Sequence, residues 1–187
     1  MLRSIFMAFE IERRFIINSP IEDLINLLNR EGFSYEGCFK ENDTYFDGPN
    51  FIERKICLRI RHKAPYTVEL TYKGPSTPDN EVGNLFMKEE LNVSIGQTSD
   101  ITPLIKMLNA LGYPILVKVE KSRKIFTGDE LILSIDEIDG QPQFYLEVET
   151  NSLENEDNLR RIITKIKTNV SVVENNVPYR DICLGKN

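Results

Sequence analysis

The sequence predicts an α+β protein with one mostly antiparallel sheet of eight strands and three helices. Three observations support this class. Eight segments alternate polar and apolar residues with the period of two that is typical of a strand. Short turns join most of these segments, which favours antiparallel pairing because parallel strands need long crossover connections. Three other segments repeat apolar residues at helical spacing between helix start and stop residues.

The predicted strands follow one another along the chain with one long interruption. They cover residues 9–15, 42–47, 56–63, 67–73, 86–93, 116–126, 131–138 and 144–150. Residues 74–84 are rich in Gly, Pro, Ser and Asn, so we predict a loop there, either a lid over a substrate or an ordinary surface loop. Asp139-Gly140 is typical of a hairpin turn between the last two strands.

Each predicted helix begins or ends at residues that favour helix termini. The first follows Ser19-Pro20 and ends at Gly32, because serine caps a helix start, proline fits the first turn and glycine fits the end. The second covers residues 99–111, with Pro103 in its first turn, where proline is tolerated. The third covers residues 152–169.

Composition and charge argue against several functional classes. The 187 residues are enough for one domain with a sizeable core, and 41% hydrophobic with 28% charged residues is typical of a globular protein. A net charge of −6 argues against a nucleic-acid partner, which needs a basic surface. One histidine and three widely spaced cysteines disfavour a zinc site or a Ser/His/Asp triad and fit a reducing, cytoplasmic setting. No apolar stretch reaches about 18 residues, so no membrane span is predicted.

The polar face of the predicted strands carries carboxylates and cations together. In the first strand Glu10, Glu12 and Arg14 share one face, and the glutamate Cα atoms lie roughly 6–7 Å apart, twice the rise per residue. That spacing lets both carboxylates reach one divalent cation, and Arg14 can grip a phosphate with two hydrogen bonds. The acidic members of this charged face are Glu10, Glu12, Glu69, Glu90, Asp136, Glu147 and Glu149. The basic members are Arg14, Arg59, Arg61, Lys73, Lys88, Lys121 and Arg123.

Two architectures fit such a charged face. In an open sheet the charges face water and the helices cover the other side. Alternation alone favours this open sheet, because charged faces are usually solvated. In a closed barrel the charges line the inside, where they must be paired, hydrated or bound to a ligand. A triphosphate with Mg²⁺ or Mn²⁺ suits that lining, since cations hold phosphate oxygens and carboxylates hold hard metal ions.

Several segments match, in order, the motifs of a known family. Glu10-Ile11-Glu12-Arg13-Arg14 is similar to an E-x-E-x-K signature, with arginine at the last position. The further matching segments are residues 43–47, 58–61, 71–75, 120–123, 134–136, 144–149 and 178–180. The chain thus resembles the CYTH family, also called the triphosphate tunnel metalloenzymes. That family contains class IV adenylyl cyclases, thiamine-triphosphatases and inorganic triphosphatases.

The resemblance implies a closed eight-stranded antiparallel tunnel with a charged lumen and helices packed outside, and it replaces the open sheet as the expectation. It implies a single domain over residues 1–187 with a core of about 8–184. The expected function is metal-dependent processing of a triphosphate. The closest match is to class IV cyclases, which convert ATP to cyclic AMP and pyrophosphate. Triphosphate hydrolysis and a non-catalytic nucleotide- or polyphosphate-binding module are the alternatives.

The resemblance also implies roles for the charged residues. The expected ligands of Mg²⁺ or Mn²⁺ are Glu10, Glu12, Asp136, Glu147 and Glu149. The expected phosphate-binding residues are Arg14, Arg59, Arg61, Lys73, Lys88, Lys121 and Arg123. The expected catalytic residues are Glu10, Glu12, Arg14 and Lys121. Tyr179 or Arg180 either closes one tunnel mouth or belongs to a surface turn. Class IV relatives suggest a homodimer.

Overall fold

A large antiparallel sheet organises the chain in the computed structural model, which describes residues 8–63, 67–75, 77–79, 85–97 and 100–185. Side chains are described for these residues except 8–10, 77–79 and 85–88. The strands are β1 (Ala8–Ile17), β2 (Ser34–Phe46), β3 (Cys57–Lys63), β4 (Thr67–Lys73), β5 (Thr77–Asp79), β6 (Leu85–Gln97), β7 (Ile115–Gly128), β8 (Leu131–Ile138), β9 (Phe144–Thr150) and β10 (Val172–Glu174). The helices are α1 (Ile21–Arg30), α2 (Thr102–Ala110), α3 (Glu156–Asn169) and α4 (Tyr179–Cys183), with a 3₁₀ turn at Leu153–Asn155.

The strand order is β10-β1-β9-β8-β7-β2-β3-β4-β6-β5, and each neighbouring pair in this order is antiparallel. Strand β1 pairs with β9 through residues 11–17. On its other edge β1 pairs with β6 through residues 8–12 and with β10 through residues 15–17. The α+β class and the large antiparallel sheet are therefore confirmed, and the closed barrel stays a prediction.

The apolar face of the sheet forms the core with the helices. Helices α1 and α3 bury Leu28 and Ile162 against Phe15 of β1, Leu133 of β8 and Leu146 of β9. Helix α2 covers a second cluster that includes residues from β2, β3 and β4. Since alternate residues point to opposite faces, burying these apolar side chains sends their charged neighbours to the other side of the sheet.

The structure differs from the predicted elements at β2, β5, β10 and α4. Strand β2 begins at Ser34 rather than near residue 42, and it continues past Gly37, where its register with β7 shifts. Gly37 has a φ of 136°, and the extra residue interrupts the alternation on which the strand prediction depends. Strand β5 lies in the predicted loop, and β10 and α4 were not predicted, because elements of three to five residues carry too little periodicity.

We expect Leu146→Ala to lower the free energy of unfolding by about 2–5 kcal/mol, since it leaves a cavity in the core. Leu146 is 0% exposed and packs in the cluster beneath α1 and α3. The matched control is Leu153→Ala, because Leu153 is 49% exposed, and we expect a change within about 0.5 kcal/mol. Urea unfolding of both variants measures the difference. Equal losses would contradict this assignment of the core.

Candidate active site

The charged face of the sheet surrounds one cavity with a volume of about 200 Å³. Eleven of the fourteen charged residues singled out from the sequence line it: Glu12, Arg14, Arg59, Arg61, Glu69, Lys73, Glu90, Lys121, Arg123, Glu147 and Glu149. Asp136 lies buried behind this lining and is 0% exposed. The backbones of Glu10 and Lys88 pair with each other across β1 and β6, but their side chains lie outside the described residues.

Glu147 joins two of the predicted phosphate-binding arginines. Arg14 Nε donates to Glu147 Oε1 at 2.8 Å, and Arg123 Nη2 donates to the other carboxylate oxygen. Arg123 Nε also donates to Asp136 Oδ1 at 2.7 Å. Tyr179 Oη donates to Asp136 Oδ2 at 2.8 Å, so the oxygens of this carboxylate already have donors. Asp136 therefore lies in a hydrogen-bond network around Arg123, apart from the carboxylates that cluster in the cavity.

A second buried network surrounds Asp43, which sequence analysis placed in a motif without a role. Arg61 grips Asp43 with two hydrogen bonds of 2.7 Å, while Lys121 Nζ and Arg59 Nη1 lie 3.5 and 3.6 Å from its oxygens. Glu41 adds a carboxylate 3.3 Å from both Lys121 and Arg61. Sequence analysis missed Glu41 because the predicted strand began at residue 42. Extending the alternation Asp43, Glu41 by one step would have found it.

Charge pairing sets the protonation states in the cavity. Burial alone would raise the pKa of the Glu147 carboxyl, but Arg14, Arg123 and Lys121 hold it well below its usual range. Burial likewise opposes ionisation of Asp43, and Lys121, Arg61 and Arg59 hold its pKa well below its usual value. Burial, together with Arg123 and Arg61, lowers the pKa of the Lys121 ammonium. The carboxylates of Glu147 and Asp43 are thus ionised at neutral pH.

Arg59 is the least satisfied of these cations. It is 9% exposed, and its Nε is a buried donor that has no hydrogen-bond partner within the part of the chain that the structure describes. Arg59 Nη1 lies 3.6 Å from the Asp43 carboxylate, which is longer than a good charge-assisted hydrogen bond. A buried guanidinium short of acceptors is suited to binding an added anion, because an unmade hydrogen bond costs free energy.

Three carboxylates form the candidate metal site. Glu12, Glu147 and Glu149 each offer an oxygen, and these three oxygens lie within 4.8 Å of one another. They stand on neighbouring strands, since Glu12 pairs with Glu149 across β1 and β9 and Arg14 pairs with Glu147. Hard oxygen donors in this number suit Mg²⁺ or Mn²⁺, which bind a few carboxylates and complete their coordination with water and phosphate. The donor set therefore fits a divalent metal.

The C-terminal segment forms part of the cavity wall. Tyr179 is 4% exposed, and the guanidinium carbon of Arg14 lies 4.2 Å from the centre of its ring. Arg14 Nη1 also donates to the carbonyl oxygen of Val177 at 2.8 Å. Arg180 is 3% exposed and its Nη1 donates to the carbonyl oxygen of Ile56 at 2.7 Å. Tyr179 and Arg180 both line the cavity, so the C-terminal segment packs into the charged site.

The remaining charged residues pair within the cavity or across its wall. Lys73 Nζ lies 3.0 Å from Glu90 Oε2, and Thr71 Oγ1 donates to Glu69 Oε1 at 3.2 Å. The cavity thus brings cations and a cluster of carboxylates together in one lining. Such an arrangement can hold a polyanion and a metal ion side by side.

The family model for the CYTH domain matches residues 8–177 of this chain. The chain belongs to the CYTH domain family. No curated protein matches it at a significant level. The CYTH family includes adenylyl cyclase-like and triphosphatase enzymes and is a metalloenzyme family. The family expectation drawn from the sequence is therefore confirmed.

Solved structures share the fold of this CYTH domain at low sequence identity. The PH1819 protein from Pyrococcus horikoshii OT3 is 23% identical with a TM-score of 0.75, over 95% of this chain and 99% of that one. A candidate adenylate cyclase from Vibrio parahaemolyticus is 16% identical with a TM-score of 0.73, over 94% and 97%. HpAC1 from Hippeastrum, a candidate adenylyl cyclase with a dominant triphosphatase activity, is 18% identical with a TM-score of 0.66, over 94% and 95%.

Two further observations concern the helices and the cysteines of this CYTH domain. In the described ranges no helix has the length and apolar character that crossing a membrane requires. Cys38, Cys57 and Cys183 are free thiols. The cytoplasmic location itself stays a prediction.

Acid is expected to destabilise the CYTH domain through Asp43 and Glu147. Both have folded pKa values below the ordinary 3.8 and 4.5, so the unfolded chain binds more protons once the pH falls below about 5. The stability that these carboxylates contribute is present at neutral pH and is lost as the pH falls. Each group contributes a slope of up to about 1.4 kcal/mol per pH unit.

Urea unfolding between pH 7 and pH 3 measures this slope. In Asp43→Asn we expect lower stability at pH 7, because the cations around residue 43 lose a partner, and a shallower decline towards acid pH. A decline as steep as that of the unchanged protein would show that the neighbouring cations do not lower the pKa of Asp43.

Proposed function

We propose that this protein is a metal-dependent enzyme that cleaves a triphosphate in the charged cavity. The observation that carries the proposal is the juxtaposition, in one cavity, of the Glu12–Glu147–Glu149 cluster and buried cations. Among those cations Arg59 retains an unpartnered buried Nε within the described residues. A metal-bound polyphosphate complements both kinds of charge in this lining, since it brings oxygens to the cations and a cation to the carboxylates.

We propose further that the cavity lies inside a closed eight-stranded tunnel made by β1 to β4 and β6 to β9. The pairing of β1 with β9 on one edge and β6 on the other supports this closure. A closed tunnel explains why charged groups such as Lys121 and Asp43 are 5% and 1% exposed although they lie on the polar face of their strands. It also keeps the apolar face outside, where the helices cover it.

The phosphate-binding residues in this proposal are Arg14, Arg59, Arg61, Lys73, Lys88, Lys121 and Arg123. Arg59 and Arg61 stand on β3, whereas the carboxylate cluster stands on β1 and β9, and both arginines direct donors towards Asp43. Phosphate oxygens would replace Asp43 and Glu41 as partners of some of these cations. Guanidinium groups suit this exchange because they bind carboxylates and phosphates with the same paired geometry.

Glu12, Glu149 and Glu147 would hold the metal, with Glu10 as a further ligand and Asp136 as support through Arg123. When bound, Mg²⁺ or Mn²⁺ acts as a Lewis acid that stabilises charge on the phosphate oxygens. The two hydrogen-bonded arginines limit how far Glu147 can turn towards a ligand. Glu12 and Glu149 are less buried than Glu147, so they are the more adaptable members of the cluster.

Hydrolysis is the reaction that the described cavity supports most directly. A water attacks the terminal phosphorus, the bond to the bridging oxygen breaks, and orthophosphate leaves together with the shortened chain. Glu12 or Glu149 would orient that water and accept its proton, while Arg123 and Lys121 hold the charge on the phosphate oxygens. The dominant triphosphatase activity of the HpAC1 relative agrees with this reaction.

Adenylyl cyclisation is the second candidate, and residues 43–47 and the C-terminal tail support it through their similarity to class IV cyclases. In that reaction the ribose 3′-oxygen of ATP attacks the α-phosphorus, and pyrophosphate leaves. It requires a site for the adenosine in addition to the phosphates. The uncharged side chains that line the described cavity are Tyr45, Cys57, Pro178 and Tyr179, and both tyrosine hydroxyls face aspartates. A homodimer and a cytoplasmic location complete the proposal.

Product analysis separates the candidates. The protein is incubated with ATP, tripolyphosphate or thiamine triphosphate in the presence of Mg²⁺ or Mn²⁺. We expect orthophosphate from at least one of these substrates and no product without metal. Cyclic AMP with pyrophosphate would select cyclisation instead. Tight binding of all three without any product would replace the enzyme by a binding module.

Glu12→Gln is expected to lower turnover by about 100-fold or more and to weaken Mn²⁺ binding, because an amide oxygen replaces a charged metal ligand. Metal titration followed by steady-state turnover measures both effects. The matched control is Glu69→Gln, since Glu69 lines the same cavity but hydrogen-bonds Thr71 outside the carboxylate cluster. Full activity in Glu12→Gln, or an equal loss in both variants, would remove Glu12 from the metal site.

A further inference from the structure

Lys55 lines the charged cavity, although no motif in the sequence distinguished it. It lies at the end of the connection between β2 and β3, two residues before Cys57, the first residue of β3. Cys57, Arg59 and Arg61 follow at intervals of two, and all three line the cavity together with Lys55. Lys55 thus adds a cation to the cavity lining just before the strand that carries Arg59 and Arg61.

The backbone at Lys55 is in an unusual conformation. Its φ is +56°, in the left-handed region that favours glycine and that a lysine enters only at a free-energy cost. Asn50, in the same connection, has a φ of +61°, but asparagine tolerates this region better than lysine does. Asn50 does not line the cavity. Glycine would therefore fit the backbone at position 55 better than the residue that stands there.

Neighbouring contacts fix the position of Lys55. Its amide nitrogen donates to the carbonyl oxygen of Ile52 at 3.1 Å, and the amide of Ile56 donates to the carbonyl oxygen of Phe51 at 2.8 Å. Arg180 donates to the carbonyl oxygen of Ile56 at 2.7 Å and itself lines the cavity. The ring of Phe51 stacks on that of Tyr113 with centroids 5.8 Å apart. The connection therefore fixes the backbone from which the Lys55 side chain extends.

We propose that Lys55 contacts the outer phosphate of a polyphosphate and gives the site a preference for a chain of three phosphates over one of two. This inference rests on the proposed function, because it assumes that a polyphosphate binds along the cations. Arg59 and Arg61 lie deeper in the cavity and serve any phosphate chain. Lys55 is exposed at the mouth, where only the end of a longer chain reaches it.

Calorimetric titration with tripolyphosphate and with pyrophosphate, at fixed Mg²⁺ and ionic strength, tests the proposal. Lys55→Gln removes the charge and is expected to weaken tripolyphosphate binding about fivefold while changing pyrophosphate binding less than about twofold. Lys55→Arg keeps the charge and is expected to retain the affinity for tripolyphosphate. A role confined to the turn would leave the ratio of the two affinities unchanged.

Asn50→Gly and Lys55→Gly separate the charge from the backbone. Both substitutions relieve a left-handed residue, so neither is expected to lower the melting temperature. Lys55→Gly is expected to weaken tripolyphosphate binding as Lys55→Gln does, and Asn50→Gly is expected to leave it unchanged. Unchanged tripolyphosphate binding in Lys55→Gln would overturn this inference and leave the proposed function standing. Absence of polyphosphate binding by the unsubstituted protein would overturn both.

Discussion

The neutralisation of buried charges by one another constrains this structure more than any other interaction. Asp43 lies close to Arg61, Arg59 and Lys121, and Glu147 lies between Arg14 and Arg123. Each of these ions would be costly to bury alone, because charges lose their hydration in a protein interior. The strand register keeps them together: Asp43 stands opposite Arg61 across β2 and β3, and Arg14 stands opposite Glu147 across β1 and β9.

The same constraint prepares the site for a ligand. Carboxylates that occupy the guanidinium groups hold them in place, so a phosphate chain meets donors that are already oriented. Among the described residues Arg59 Nε has no hydrogen-bond partner, and the Glu12–Glu147–Glu149 cluster has oxygens arranged for a cation. A bound metal polyphosphate would thus give further partners to the cations and to the carboxylates. Buried ion pairs contribute little net stability, which favours a functional reason for their presence.

Alternation was sufficient to predict which residues share the charged face, because a strand with one apolar and one polar side specifies its own orientation. It grouped Arg59, Arg61 and Lys121 on one polar face without knowledge of any strand neighbour, and all three line the cavity. It could not predict that β1 pairs with β6, since that contact joins residues far apart in sequence. It missed Glu41 because the predicted strand began at residue 42, and it missed Lys55 because a left-handed turn precedes β3. The pairing of β1 with β6 depends on tertiary contacts that local sequence does not encode.

The location of a bound metal triphosphate tests the central claim most directly. A crystal structure with Mn²⁺ and tripolyphosphate, in which anomalous scattering identifies the metal, would provide that location. We expect a Mn²⁺ peak within coordination distance of Glu12 and Glu149, and phosphate oxygens within hydrogen-bond distance of Arg59 and Arg61. Phosphate density on the outer surface, with an unchanged Asp43–Arg61 pair and no metal beside Glu12, would contradict the account.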